Sequence, residues 1–250
     1  MEHKIIFSTS EDMSKINNDS VKLMITSPPY GDLKNYETEG QIGYKESYEK
    51  YLDRLNKVWK ETFRVLVNGG TCIININTRT INGKALLIPY DFIKQLTEIG
   101  FVFRDMHYWH KSSGIPRINN LGDHFEYFII FTKGDNVNIN EISFFDYKID
   151  NVNIKSNIWN INKKFGSVGK KYMVHPAIFP LDYIKRMIQV FTQPKDLVLD
   201  PFLGSGTSLL ASMLTDRSFI GYELNKEGYL PMIIDRLNEF NLSEDMVNFI

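Results

Sequence analysis

The stretch from Leu197 to Glu223 constrains the fold of this 250-residue chain more than any other part of its sequence. The apolar run LVLD predicts a buried strand that ends at Asp200, and a Gly-x-Gly turn follows at Gly204–Gly206. A helix is predicted to begin at Gly206 or Thr207, and the next apolar run predicts a second strand that leads into Glu223. Strands that alternate with helices build parallel sheets, so we expect an α/β fold.

The glycine turn predicts a place where a ligand approaches the backbone closely, because glycine has no side chain and the first N–H groups of a helix are free. No lysine follows the glycines as in a Walker loop, and Leu209 stands where a dinucleotide fingerprint has its third glycine. Asp200 suits a cationic group, and Glu223 can accept from ribose hydroxyls. Together they fit a ligand with an amino-acid end and a ribose, such as S-adenosylmethionine. The alternative is a helix cap and a surface acid.

A second informative stretch begins at Val21, where the run VKLMIT predicts a buried strand that ends in Ser27-Pro28-Pro29-Tyr30. Each proline keeps its carbonyl but has no backbone N–H. The two prolines therefore form a stiff segment with acceptors and few donors at the end of a strand.

The remaining sequence alternates between helical and strand patterns. A long helix is expected from Tyr44 to Leu66, with Asn68–Gly70 as its C-cap signal. Its apolar face would comprise Tyr48, Leu52, Leu55, Trp59, Phe63 and Leu66. Little periodicity is found from Lys133 to Tyr172, which predicts an inserted loop or a small recognition element. The other expected elements are strands at Thr71–Asn77, Phe101–Trp109 and His124–Thr132 and helices at Ile88–Ile99, Leu181–Phe191 and Lys226–Phe240.

Composition excludes several kinds of chemistry. The single cysteine, Cys72, rules out an internal disulfide framework and a CxxC metal site, and the five histidines lack metal-ligand spacing, so no metal is expected. No apolar run is long enough to span a bilayer and the first residues do not resemble a signal peptide, which predicts a cytoplasmic protein without membrane partners. The net charge is −1, but residues 151–186 hold seven basic side chains against one acid. This segment is either a face for a polyanion or a solvated lysine-rich loop.

Four motifs resemble those of the DNA amino-methyltransferases of the permuted β group. The similar segments are Ser27–Tyr30 for their catalytic (D/N/S)PPY motif, Val174–Pro180 for the segment that covers the cofactor, Asp200–Thr207 for the cofactor loop and Gly221–Asn225 for the ribose-binding motif. The catalytic motif precedes the cofactor loop, as is typical of this group. One departure lies after the first strand, where the family often has Gly-Asp and this chain has Ser8-Thr9.

The resemblance implies a Rossmann-like, S-adenosylmethionine-dependent methyltransferase fold, with a mainly parallel sheet, one antiparallel strand and a circularly permuted motif order. Residues 1–132 would form the catalytic half, residues 133–172 a small target-recognition insert and residues 173–250 the cofactor-binding half of one domain. The residues implied for binding S-adenosylmethionine are His175, Pro176, Phe179, Asp200, Pro201, Phe202, Gly204, Ser205, Gly206, Thr207, Glu223 and Asn225.

A catalytic role for Ser27–Tyr30 follows from the same resemblance. The exocyclic amine of a base is a poor nucleophile, because its lone pair is delocalised into the ring. The Ser27 Oγ and the Pro28 carbonyl can accept hydrogen bonds from the two N–H groups of this amine. These contacts localise the lone pair, while Pro29 keeps the segment rigid. Tyr30 can stack on a base flipped out of the duplex, a contact worth roughly 1–3 kcal/mol. Cys72 lacks the context of a nucleophile for methylation at carbon 5 and is expected in the core.

Serine in the first position of this motif is mostly found with cytosine N4 methylation, whereas Asp or Asn is mostly found with adenine N6. The resemblance therefore predicts methyl transfer to a flipped cytosine in a specific duplex DNA site, within a restriction–modification system. A cognate restriction endonuclease and a second copy in a homodimer are the further partners it implies. The alternatives are the same chemistry on adenine N6, an RNA or small-molecule methyltransferase, and an inactive DNA-binding subunit.

Phosphate contacts are expected from basic residues of two segments, which would give DNA binding a strong salt dependence. These residues are Lys111, Arg117, Lys163, Lys164, Lys170 and Lys171.

Overall fold

A computed structural model describes residues 1–30, 38–81, 84–110, 125–136, 157–160 and 180–250. Eleven strands lie within these ranges, and nine of them form one sheet. The strands are β1 (His3–Ile6), β2 (Val21–Thr26), β3 (Leu66–Ile76), β4 (Arg79–Ile81), β5 (Lys84–Leu86), β6 (Phe101–His110), β7 (Phe125–Lys133), β8 (Ile158–Asn160), β9 (Leu197–Asp200), β10 (Ser218–Tyr222) and β11 (Asn248–Phe249).

The large sheet has the strand order β11-β1-β10-β9-β2-β3-β7-β6-β8. All neighbouring strands pair in parallel except β7, which is antiparallel to both β3 and β6. The predicted mainly parallel sheet with one antiparallel strand is therefore confirmed, and β4 and β5 form a separate antiparallel pair. Strand β2, which leads into Ser27–Tyr30, lies beside β9, which leads into the glycine turn, although β2 comes much earlier in the chain. The order of the two motifs along the chain is therefore the permuted one.

Five helices accompany the strands in the described ranges: α1 (Tyr48–Val65), α2 (Ile88–Ile99), α3 (Leu181–Phe191), α4 (Thr207–Met213) and α5 (Lys226–Glu239). The predictions for α2 and α3 are confirmed residue for residue, and α5 ends one residue before the expected position. Gly100 ends α2 with a φ of 118°, a left-handed conformation that favours glycine.

Helix α1 differs from its prediction at both ends. It begins after Ser47, whose side chain accepts a hydrogen bond from the Lys50 backbone N–H, and not at Tyr44. Its C-cap is Leu66 in an extended conformation, so the chain passes directly from α1 into β3. The expected C-cap at Asn68–Gly70 is wrong, because these residues form an irregularity within β3 where the register against β2 shifts.

Both faces of the large sheet are buried. On β2, Leu23 and Ile25 belong to the cluster that α3, α4 and α5 cover, whereas Met24 belongs to the cluster beneath α1 and α2. Burial on both sides explains why β2 and β9 appear in the sequence as continuous apolar runs.

The expected insert at 133–172 is described only in part. Lys133 closes β7, and Ile158–Asn160 adds β8 in parallel to the free side of β6. This part of the segment therefore belongs to the main sheet. The division of the chain into two halves and an insert stays a prediction.

Candidate active site

The carboxyl ends of β1, β2, β9 and β10 meet at one edge of the sheet, because these strands are parallel and adjacent. A pocket lies at this edge. It is the place where an open α/β sheet binds its ligands. The lining residues are Ser8–Ser10, Ser27–Tyr30, Thr38, Gly40–Ile42, Asp200–Ser205, Thr207, Tyr222–Leu224 and Tyr229.

The structure brings both predicted motifs into this one pocket. All four residues of Ser27–Tyr30 line it, and so do Asp200, Pro201, Phe202, Gly204, Ser205, Thr207 and Glu223. Gly206 and Asn225 were also predicted but are not among the lining residues. Gly206 is the N-cap of α4 with a φ of 80°, and Asn225 caps α5 by accepting from the Gly228 N–H at 2.9 Å.

Asp200 is a buried carboxylate that holds the glycine turn against β2. Its Oδ1 accepts from the Thr26 hydroxyl at 2.6 Å and from the Phe202 N–H at 3.0 Å, and its Oδ2 accepts from the Ser208 hydroxyl at 2.5 Å. Burial raises the pKa of Asp200 to about 6, although these three hydrogen bonds act in the opposite direction. These contacts hold the glycine turn in place, and Asp200 also lines the pocket, so its predicted part in binding the cofactor stays a prediction.

Glu223 closes the turn from the neighbouring strand. Its Oε2 accepts from the Gly204 N–H and its Oε1 from the Asn225 N–H, both at 2.8 Å. Burial raises the pKa of Glu223 to about 7, against the effect of these backbone hydrogen bonds. The Leu224 N–H is a third backbone donor to this carboxylate. A carboxylate can accept about four hydrogen bonds, so Glu223 keeps capacity for one more at the pocket.

A buried arginine from α5 supports the turn from behind. The Arg236 Nη1 donates to the Ser205 carbonyl at 3.0 Å, to the Ser205 Oγ at 2.9 Å and to the Thr207 Oγ1 at 2.7 Å. Its burial lowers the pKa of Arg236 to about 10. A Cβ atom added at Gly206 would lie 3.1 Å from the Cγ1 of Ile233, which is also on α5, so α5 packs closely against the turn. Sequence reasoning missed Arg236.

The Ser27 hydroxyl has a defined partner in β3. It donates to the Asn75 Oδ1 at 3.5 Å, the long end of the hydrogen-bond range. The Asn75 Nδ2 donates to the Tyr127 carbonyl at 3.0 Å, which turns the Asn75 oxygen toward Ser27. Ser27 also forms a hydrogen bond with Tyr30 of the same segment, which acts to lower the pKa of Tyr30.

The proline pair is fixed by a tyrosine of α1. The buried Tyr51 donates from its hydroxyl to the Pro29 carbonyl at 2.8 Å. Of the two proline carbonyls, that of Pro29 is thus used within the protein. Tyr30 in turn donates to the Glu126 Oε2 at 3.0 Å, at the start of β7. Burial, followed by the charge of Glu126, holds the pKa of Tyr30 well above its usual value, so its hydroxyl stays protonated.

Several predicted site residues lie outside the described ranges. They are His175, Pro176, Phe179, Lys111, Arg117, Lys163, Lys164, Lys170 and Lys171. Among the residues that the structure does describe, no group of three or more His, Cys, Asp or Glu side chains could hold a metal ion. Within the same ranges, no helix is long and apolar enough to cross a membrane.

A mainly parallel sheet that brings the Ser-Pro-Pro-Tyr segment and the glycine turn into one pocket is the arrangement expected of a DNA amino-methyltransferase. The family model described as DNA methylase, of the N6/N4 type, matches residues 21–234, and the chain belongs to this family. Its relatives include the type II methyltransferase M.MjaI of Methanocaldococcus jannaschii, which is 32% identical over 90% of this chain and 88% of its own. The orphan methyltransferase M.BamHII of Bacillus amyloliquefaciens is 29% identical over 90% of this chain and 91% of its own.

Solved structures have the same fold. A protein of Thermus thermophilus assigned as a DNA modification methylase, in complex with S-adenosyl-L-methionine, matches with a TM-score of 0.75 and 26% identity over 99% of both chains. The PvuII cytosine-N4-specific DNA methyltransferase matches with a TM-score of 0.79 and 22% identity, over 98% of this chain and 90% of that one. The predicted methyltransferase fold is therefore confirmed.

Proposed function

We propose that the protein transfers a methyl group from S-adenosylmethionine to the exocyclic N4 amine of a cytosine flipped out of a specific duplex DNA site. The observation that carries this proposal is the position of Ser27–Tyr30 in the same pocket as the glycine turn and Glu223. The choice of cytosine over adenine rests on Ser27, since serine in that position is mostly found with cytosine N4 methylation in the family.

The described residues fit S-adenosylmethionine by the chemistry of their polar groups. Glu223 lines the pocket as an acceptor for a ribose hydroxyl, and the positive φ values of 52° at Gly204 and 80° at Gly206 favour glycine, which leaves the backbone open at those two positions. The Thermus structure with S-adenosyl-L-methionine supports this assignment, since it aligns over 99% of this chain. When bound, S-adenosylmethionine supplies an electrophilic methyl group on a sulfonium.

The protein's own contribution is to orient and activate the amine. The Ser27 Oγ and the Pro28 carbonyl accept hydrogen bonds from the two N–H groups of the amine, which localises the nitrogen lone pair. Asn75 and Tyr30 orient the Ser27 hydroxyl, and Tyr51 fixes the Pro29 carbonyl. The ring of Tyr30 stacks on the flipped base while its hydroxyl stays bound to Glu126.

The remaining roles are assigned from the family resemblance. His175, Pro176 and Phe179 would cover the bound S-adenosylmethionine, and the 133–172 insert would recognise the DNA site. Phosphate contacts would come from Lys111, Arg117, Lys163, Lys164, Lys170 and Lys171. The relatives named type II methyltransferases support a restriction–modification role with a cognate endonuclease, whereas the relative named orphan is the precedent for action alone. The cytoplasm is the location that we propose. A homodimer is the further assembly that we propose.

The test is methylation of unmodified duplex DNA, followed by digestion to nucleosides and mass spectrometry. We expect N4-methyldeoxycytidine from the wild-type protein and from Ser14→Ala, an exposed control serine. Ser27→Ala should reduce the product by about a hundredfold, because it removes one of two acceptors at the reacting nitrogen.

Other products would change the proposal. N6-methyldeoxyadenosine would move the chemistry to adenine, and transfer only to RNA would reject a DNA substrate. Full turnover by Ser27→Ala would reject the catalytic assignment of the Ser-Pro-Pro-Tyr segment.

A further inference from the structure

Two parts of the pocket lining belong to the loops that lie between β1 and β2 and between β2 and α1. Ser8–Ser10 follows β1, and Thr38 and Gly40–Ile42 precede α1. Neither loop is part of the large sheet, so their positions depend on other contacts.

One side chain of α1 contacts both loops. The Arg54 Nη1 donates to the Gln41 carbonyl at 3.0 Å, and its Nη2 donates to the Gly40 carbonyl at 2.8 Å. The Arg54 Nε donates to the Glu11 Oε2 at 3.1 Å, and its Nη2 forms an ion pair with the same carboxylate. Glu11 directly follows Ser8–Ser10 in the chain. A single planar guanidinium thus joins the two loops, which is a geometry that lysine cannot reproduce.

Two carboxylates complete this arrangement. Glu11 accepts from the Thr9 hydroxyl at 3.4 Å, and Thr9 itself lines the pocket. Glu46 accepts from the Arg54 Nη1 at 3.2 Å and from the Gly43 N–H at 2.8 Å. The side chain of Arg54 is only 16% exposed, so water screens these ion pairs weakly. The Arg54 hydrogen bond lowers the pKa of Glu11, and Glu11 in turn raises the pKa of Arg54.

We propose that Arg54 is a positioning residue for the pocket, which holds the Ser8–Ser10 loop and the Gly40–Ile42 loop at the separation that S-adenosylmethionine requires. This inference rests on the proposed function of the pocket. Arg54 itself is not among the lining residues, so it acts through the two loops and not by contact with the ligand.

The same helix offers a matched control. Arg64 of α1 donates to the Ile16 carbonyl at 3.0 Å, to the Met13 carbonyl at 2.8 Å and to the Asn18 Oδ1 at 2.6 Å, and it pairs with Glu61. It therefore ties a loop to α1 much as Arg54 does. Residues 13–18 contribute nothing to the pocket lining, so loss of Arg64 should cost stability without changing the pocket.

The experiment compares Arg54→Met, Arg54→Lys and Arg64→Met with the wild type. Titration calorimetry with S-adenosylmethionine alone gives the Kd, and urea unfolding of the free protein gives the stability. We expect Arg54→Met to raise the Kd at least about tenfold, the scale of one lost charge-assisted hydrogen bond. Arg54→Lys should give a smaller increase, and Arg64→Met should keep the wild-type Kd while its stability falls.

The outcomes separate this inference from the proposed function. If the wild-type protein does not bind S-adenosylmethionine, the proposed function of the pocket is wrong. If the wild type binds and Arg54→Met keeps its Kd, or if both methionine variants weaken binding equally, the positioning role is wrong. If Arg54→Met does not fold, Arg54→Lys decides: a wild-type Kd for this variant rejects the role.

Discussion

The Thr26 hydroxyl donates a 2.6 Å hydrogen bond to the buried Asp200 carboxylate, and this contact joins the ends of β2 and β9. Ser27 directly follows the donor and Pro201 directly follows the acceptor. The contact therefore sets the distance between the Ser-Pro-Pro-Tyr segment and the glycine turn, two motifs that lie far apart in the chain.

Loss of this contact should destabilise the fold. Thr26→Val removes the donor and leaves a buried carboxylate oxygen with one fewer partner, so the free energy of unfolding should fall by about 1–3 kcal/mol. Thr26→Ser keeps the hydroxyl and should lose less. Urea unfolding measures both variants, and equal losses would mean that the hydrogen bond contributes nothing beyond packing.

Tyr51 should matter for turnover more than for stability. Tyr51→Phe removes the donor to the Pro29 carbonyl and should lower kcat about tenfold, because the acceptors of the segment are no longer held in place. Tyr48→Phe is the control. Tyr48 lies on the same helix as Tyr51 and donates to Asp91 of α2 at 2.6 Å, away from the proline segment. Methyl transfer to bulk duplex DNA gives kcat, and an equal fall in both variants would contradict a specific role for Tyr51.

Tyr30 and Glu126 should act as one unit. Tyr30→Phe keeps the ring but loses the 3.0 Å hydrogen bond, and Glu126→Ala loses its acceptor. We expect both to lower kcat and the double variant to lower it no further than Glu126→Ala alone. Glu126→Gln, which still accepts, should stay near the wild type. Additive losses in this double-mutant cycle would show that the two side chains act independently.

The stability of the free protein should depend on the protonation of Glu223. Its pKa is raised from 4.5 to about 7 on folding, so the folded state binds the proton more tightly than the unfolded state. The resulting stabilisation is complete below pH 4.5 and is lost as the pH rises through 7. Asp200, raised from 3.8 to about 6, adds to the same trend.

Unfolding in urea between about pH 5 and pH 8 measures this dependence. The free energy of unfolding should fall with rising pH in the wild type and fall less in Glu223→Gln, which does not titrate. An identical slope for both proteins would contradict the raised pKa of Glu223.

Sequence patterns predict the strands and helices that carry the pocket because burial imposes regular periodicity on them. Strands β2 and β9 are covered on both faces and therefore show as apolar runs, and their polar ends mark the site. Strands β4, β5 and β11 have only two or three residues, too few for any period to appear.

The contacts that support the motifs could not be predicted in the same way. Tyr51, Asn75 and Glu126 reach the Ser27–Tyr30 segment from three different elements, and their meeting depends on how those elements pack. The predicted apolar face of α1 was rotated by about one position: Tyr51 and Val58 are buried, whereas Leu52 is only partly so. That error hid the role of Tyr51.

Arg236 left a weak signal in the sequence. It lies between Ile233 and Leu237 on the buried face of α5, where a charged residue needs several partners. Such a residue indicates a buried polar contact, but the pattern does not identify the Ser205–Thr207 turn as its partner.

Ile250 is built into the sheet beside β1. The Ile250 N–H donates to the Ile5 carbonyl at 2.8 Å, and the Phe7 N–H donates to the Ile250 carbonyl at 2.9 Å. Since Phe7 leads directly into the Ser8–Ser10 wall of the pocket, these two hydrogen bonds couple that wall to the strand beside β1. Met1 is 61% exposed at the opposite end of β1. The pairing of Ile250 with β1 therefore acts on the side of the sheet that carries the pocket, away from Met1.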